Sequence, residues 1–100
     1  MIYITQLIYI KEGQEKVFDE FESKAIPIIA HYNGKLLLRL RPGKESIIEK
    51  NTETPYELHL VEFGSEEDFI RFLQDEKRKK FLHLKEQSIR TSFLIKGTSL

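Results

Sequence analysis

Residues 2–10, Ile-Tyr-Ile-Thr-Gln-Leu-Ile-Tyr-Ile, form a β-branched and aromatic run without Gly or Pro. That composition predicts a strand. One face would carry Ile2, Ile4, Gln6, Ile8 and Ile10, and the other Tyr3, Thr5, Leu7 and Tyr9. Neither face is polar, so the strand has to be covered on both sides. In a chain of 100 residues this is a strong constraint, because there is material for one core and not for two. Residues 1–100 are read as a single domain.

Beyond Lys11-Glu12-Gly13 the period changes. Val17, Phe18, Phe21, Ala25, Ile28, Ile29 and Tyr32 recur at spacings of three and four, with Glu15, Lys16, Asp19, Glu20 and Glu22 mostly between them. The spacing predicts an amphipathic helix to about Tyr32. Pro27 removes a backbone hydrogen bond and should kink it or split it near Lys24–Ala25. Asn33-Gly34 supplies a stop, since both residues tolerate the left-handed conformation. Lys35–Arg41 alternates Leu36, Leu38 and Leu40 against Lys35, Leu37, Arg39 and Arg41, as a strand with one apolar face does. Residues 42–55 are polar and turn-rich, with a short apolar pair at Ile47-Ile48, and read as a long hairpin connection. Tyr56–Phe63 is a third strand. Ser65 is placed to cap a second helix, with Glu66, Glu67 and Asp68 in its first turn and Phe69, Phe72 and Leu73 as its buried stripe. The charged stretch 75–80 reads as a solvated helix face. Phe81, Leu82 and Leu84 mark a further short helical piece, and Ser88–Lys96 a last strand closed by Gly97.

The order β-α-β-β-α-β predicts an α+β, ferredoxin-like domain: a four-stranded antiparallel sheet with two helices on one face. The uncovered face would then present Tyr3, Leu7, Tyr9 and Leu37 as an apolar patch. Two such sheets meeting face to face in a homodimer would bury both patches.

Composition narrows the chemistry. Sixteen Lys plus Arg balance sixteen Asp plus Glu, and zero net charge argues against nucleic acid as a partner. Without Cys there is no disulfide framework, thiol nucleophile or thiolate metal site. The longest nearly uncharged run, Met1–Ile10, is too short to span a bilayer and lacks a basic leader, so a cytoplasmic location without a membrane partner is expected. His31, His59 and His83 stand alone on three elements, without metal-ligand spacing. No Gly-x-Ser-x-Gly and no Gly-rich phosphate loop is present, and neither metal nor cofactor is expected.

The candidate site follows from strand parity. If Leu36, Leu38 and Leu40 meet the helices, Arg39 points to the open face. If the all-Ile side of the first strand does the same, Tyr3, Thr5 and Tyr9 lie beside it. The third strand is ambiguous, because Leu58 and Leu60 compete evenly with Val61 and Phe63 for the helix side. Its open-face polar group is Glu62 or His59 and not both, since they differ by an odd number of residues. The ligand-binding candidates are therefore Arg39, Glu62, His59, Tyr3 and Tyr9, facing a small, partly apolar or anionic ligand. The bland reading of Glu62 is an ion pair with Arg39 or Arg41, of His59 a packing residue, and of Glu49 a loop residue.

Several short motifs, Pro27-Ile28-Ile29-Ala30-His31-Tyr32-Asn33-Gly34, Arg39, Ile48-Glu49, Val61-Glu62-Phe63 with Ser65, and Leu84-Lys85, resemble those of the dimeric α/β-barrel superfamily. Within it, the chain is similar to the uncharacterised domain-of-unknown-function family 1330. Asn33 replaces the first Gly of that family's Gly-Gly pair, and Lys85 replaces an Arg. The resemblance implies a ferredoxin-like fold and a homodimer, and favours Glu62 as the partner of Arg39. The superfamily includes cofactor-free enzymes, and two functional readings stand open. One is a small-molecule-binding domain with a cofactor-free activity, monooxygenase- or isomerase-like. The other is a non-catalytic structural or regulatory dimerisation module. An enclosed pocket with convergent polar side chains would favour the first, and a filled apolar space the second.

Overall fold

The computed structural model describes residues 1–99. Strand β1 (Ile2–Ile10) leads into helix α1 (Glu15–Ala25), a 3-10 stretch (Ile26–Tyr32) and strand β2 (Gly34–Leu40). A connection containing one short turn returns as β3 (Glu57–Phe63), followed by α2 (Glu66–Leu73), α3 (Glu76–Lys79), α4 (Leu82–Ser88) and β4 (Ile89–Gly97). The four strands form one antiparallel sheet in the order β2-β3-β1-β4. Pro27 acts as anticipated: α1 ends at Ala25, and the proline sits in the first turn of the 3-10 stretch that takes over. Asn33 closes that stretch with φ 56°, in the left-handed region an asparagine tolerates.

The helices cover one sheet face. Phe18, Phe21, Glu22 and Ala25 form the inward stripe of α1. Ile4, Val61 and Phe63 from the sheet pack against Ile28, Ile29 and Phe72 in the main core, while Phe21 and Ala25 meet Leu84 of α4 in a second cluster. Gly34 lies so close to this core that a Cβ there would come within 2.7 Å of Ile29 and Phe63 side-chain carbons. The helical return between β3 and β4 is broken into three pieces rather than one helix.

Ser65 caps α2 as its position predicted. It has extended backbone angles, and its hydroxyl accepts from the Asp68 backbone N–H at 3.1 Å. Ser65→Ala should cost about 1 kcal/mol in urea unfolding, because one of the first-turn donors loses its partner. A loss below about 0.3 kcal/mol would mean that water replaces the cap.

The register of β2 departs from simple alternation. Leu36 pairs with Val61, but the next pairing is Leu38 with Leu60, so two residues of β2 are spanned by one step of β3. The extra residue is Leu37, a β-bulge. A one-residue insertion exchanges the two faces of everything after it. Leu36 keeps its place against the helices, whereas Leu38 and Leu40 are turned to the open face. Arg39 and Arg41 are carried to the helix side. The expectation that Leu36, Leu38 and Leu40 share the helix face is therefore corrected.

Candidate functional site

On β3, Glu57, His59, Val61 and Phe63 alternate onto the helix side, which settles the parity of that strand. Glu62 takes the open face, opposite Tyr3 on β1 and Lys35 on β2. His59 is on the covered face, opposite Gln6 and Arg39, and is buried. Arg39 and Glu62 thus lie on opposite faces, and the pairing favoured by resemblance does not form. The bulge is the cause, since without it Arg39 would share the face of Glu62.

The actual partner of Arg39 is Glu57, whose side chain is 1% exposed. Arg39 Nε donates to Glu57 Oε2 at 2.8 Å and Arg41 Nε donates to Oε1 at 2.9 Å. Arg41 also reaches Asp19 of α1, from Nη2 to Oδ1 at 2.6 Å, and lies over the Tyr56 ring. The His59 Nε2 engages the same Glu57 Oε2 that Arg39 binds. Burial by itself would push the Glu57 carboxyl up, but hydrogen bonds from His59, Arg39 and Arg41 outweigh it and hold the group down at about 2. Glu57 is thus a fixed anion that orients the imidazole through one nitrogen and leaves Nδ1 uncommitted to it.

Beside this cluster, between the sheet and the helices, is a partly enclosed cavity of about 150 Å³. Phe21, Phe63, Phe69 and Phe72 stand in its wall, and so do Gln6, Glu22, His59, Arg78, Lys85 and Ser92. Glu22 is 6% exposed, and burial raises its carboxyl pKa above the ordinary value, with Glu57 acting in the same direction and His59 opposing. Arg78 comes from α3. The Asp75 carboxylate fixes that turn, accepting from the Arg78 backbone N–H at 2.7 Å and from the Tyr32 hydroxyl at 2.5 Å. The guanidinium lies over the Phe72 ring, and its Nε is buried without a hydrogen-bond partner. Lys85, from α4, is half-buried, and burial together with the nearby Arg78 charge lowers its pKa. The stretch 75–80 is therefore not wholly solvated, because Arg78 turns inward.

The remaining sequence candidates lie elsewhere. Tyr3 sits half-buried on the open face, its hydroxyl near the Met1 sulfur. Tyr9 is buried at that face's edge, donating to the Glu53 carbonyl at 3.0 Å and meeting Phe93 edge-on. Of the five, only His59 lines the cavity, and Arg39 supports it through Glu57. Glu22, Glu57, Arg78 and Lys85 were not singled out as ligand-facing from the sequence. Glu22 had a signal, since it falls four residues after Phe18 on the apolar stripe of α1. Among the described residues no group of three or more His, Asp or Glu is placed to hold a metal, and no helix is long and apolar enough to cross a membrane.

Solved structures share this arrangement. A protein of unknown function from Rhodopseudomonas palustris is 14% identical, with a TM-score of 0.84 over 99% of this chain and 82% of its own. A DABB family protein with a ferredoxin-like fold from Mesorhizobium loti is 14% identical, with a TM-score of 0.69 over 99% of this chain and 96% of its own. The chain has a ferredoxin-like fold. An uncharacterised NIPSNAP domain protein from Burkholderia xenovorans, 10% identical with a TM-score of 0.71 over 100% of this chain and 95% of its own, has the same ferredoxin-like architecture. No family model and no curated protein matches the chain. At such identities the likeness concerns the fold alone.

Proposed function

We propose that this ferredoxin-like domain is a homodimer that binds a small molecule in the cavity between sheet and helices and is equipped to move a proton there. The observation that carries this reading is that Gln6, Glu22, His59, Arg78 and Lys85 line one largely apolar cavity. A dimerisation module would need no such lining. Two carboxyls whose affinities for protons are driven apart mark an acid–base site. Glu57 is held ionised, and Glu22 is biased toward its protonated form. In the neutral His59 ring, Nε2–H donating to Glu57 leaves the Nδ1 lone pair as proton acceptor. Glu22 is then the proton donor. Of the activities implied by resemblance, an isomerase-like proton transfer is the one these residues support.

The dimer reading rests on the open face, where Leu38, Leu40, Phe93 and Ile95 are exposed. Placement with the domain-of-unknown-function family 1330 is proposed on the segment Pro27–Gly34, with its proline-led turn and left-handed Asn33. A cytoplasmic location remains part of this proposal.

The test is a fragment screen by protein NMR, using neutral, cationic and anionic molecules of benzene size. Hits should move the His59 ring signals and the Gln6 and Ser92 amides together. A screen in which no fragment of any charge perturbs those signals would overturn the binding reading.

A further inference from the structure

We infer that the ligand is a small planar monocarboxylate, of roughly six to nine heavy atoms, whose carboxylate is held by Arg78 and Lys85. This rests on the small-molecule reading above and adds the charge and size of the ligand. The first observation is electrostatic. Arg39, Arg41, Arg71 and Arg90 each have a carboxylate oxygen within 4.0 Å. Arg78 has none among the described residues, although its Nε is the buried side-chain polar atom left without a partner. Lys85 likewise has no carboxylate within that distance among them, and it lies close enough to Arg78 for the two cations to disfavour one another. A protein does not bring two cations together in a partly dry wall without cost. An anion between them removes the repulsion and satisfies the stranded N–H, and a guanidinium edge matches a carboxylate in two parallel hydrogen bonds.

Glu22 fills that role only in part. It faces the same cavity and its charge favours both cations, but no oxygen of it lies within 4.0 Å of Arg78 or Lys85, and burial pushes its carboxyl pKa up. Arg78 and Lys85 bring two positive charges to the cavity against the one negative charge that Glu22 can supply. Asp75 is committed to the α3 turn and to Tyr32.

The second observation is size and shape. A cavity of about 150 Å³ admits a molecule of benzene size. Four phenylalanine rings, Phe21, Phe63, Phe69 and Phe72, stand in its wall, suited to a flat unsaturated body. With the carboxylate on Arg78 and Lys85, the body of the ligand shares the cavity with His59 and Glu22, the groups proposed to move a proton.

Benzoate and its neutral isostere benzamide are the probes, titrated into the 100-residue chain with affinity read by calorimetry and location by NMR. Benzoate should bind at least tenfold more tightly than benzamide and shift the cavity signals. Arg78→Gln and Lys85→Gln should each weaken benzoate at least tenfold while leaving benzamide unchanged. Arg78→Lys, which keeps the charge, should lose less than Arg78→Gln. If Arg78→Gln does not fold, Lys85→Gln, on a half-buried side chain, carries the comparison alone. Equal affinities for the two probes at the cavity would overturn the anion assignment and leave the small-molecule reading standing. Benzoate binding that survives the charge-removing variants unchanged would overturn it too, as would no binding of either probe to the wild type. The fragment screen decides the broader reading independently.

Discussion

Glu57→Gln should destabilise the protein by about 3 kcal/mol at neutral pH, a large part of the stability of a domain of this size. Two routes lead to that magnitude. Removing one partner from a buried ion pair costs about 3–5 kcal/mol, and the lower end applies because the Arg39 and Arg41 side chains remain 34% and 47% exposed and regain water. Independently, a carboxyl that titrates near 4.5 when unfolded and about 2 when folded contributes about 3 kcal/mol above the higher value. The sign follows from proton binding. Below pH 4.5 the unfolded chain takes up a proton that folded Glu57 refuses, so stability falls as the pH is lowered toward 2. Glu22 acts in the opposite sense. Its pKa is raised on folding, so its contribution is complete in acid and is lost as pH rises through the folded value. Urea midpoints measured from pH 2 to 8 should show a steep acid limb in the wild type that flattens in Glu57→Gln. A variant within about 0.5 kcal/mol of wild type at pH 7 would mean that the Arg–Glu–His cluster adds nothing net.

Phe93→Asp should convert a dimer into a monomer, weakening self-association at least 100-fold. Phe93 and Ile95 are each 57% exposed at the edge of the sheet, and Leu38 and Leu40 are 45% and 38% exposed on the opposite edge strand. These residues border Leu7, Leu58 and Leu60, which share the open face. A contiguous apolar face of this kind on a small domain is costly in water, and an isologous contact covers it twice over. A carboxylate at its edge would have to be desolvated against a second copy. Phe93 also meets Tyr9 edge-on, so Ile95→Asp serves as a second variant without that contact. Sedimentation should give twice the 11.9 kDa chain mass for the wild type and the single mass for both variants. A wild type that sediments as a monomer at high micromolar concentration would remove the proposal.

Some of the site was readable before any tertiary structure. Residue type and alternation singled out His59, which lines the cavity, and Arg39, which binds the Glu57 that holds His59. The arrangement of those residues was not readable. Lys35–Arg41 alternates without interruption, and nothing in Leu36-Leu37-Leu38 marks a bulge, since neither glycine nor a turn residue stands there. Parity therefore placed Arg39 with Glu62 and Tyr3, whereas the inserted Leu37 moved it to Glu57. Arg78 was hidden in a run of like charges whose average is solvated, and only the capping of α3 by Asp75 and the face of Phe72 turn it inward.

By itself the sequence determined the local structure. Period, proline and cap residues act over a few positions, so α1 stopping at Ala25, Asn33 taking the left-handed turn and Ser65 capping α2 were all legible. The four strands and their order followed from the same short-range rules, together with the few topologies open to such an order. Only the tertiary structure decided which side of the sheet each charge occupies. That depends on one extra residue in the pairing of β2 with β3, a register set jointly by two strands and the helices packed on them. A period-two pattern has no term for such a slip, because both registers bury leucines: Leu38 and Leu40 against the helices in one, and on the open face, where a second copy of the chain would cover them, in the other.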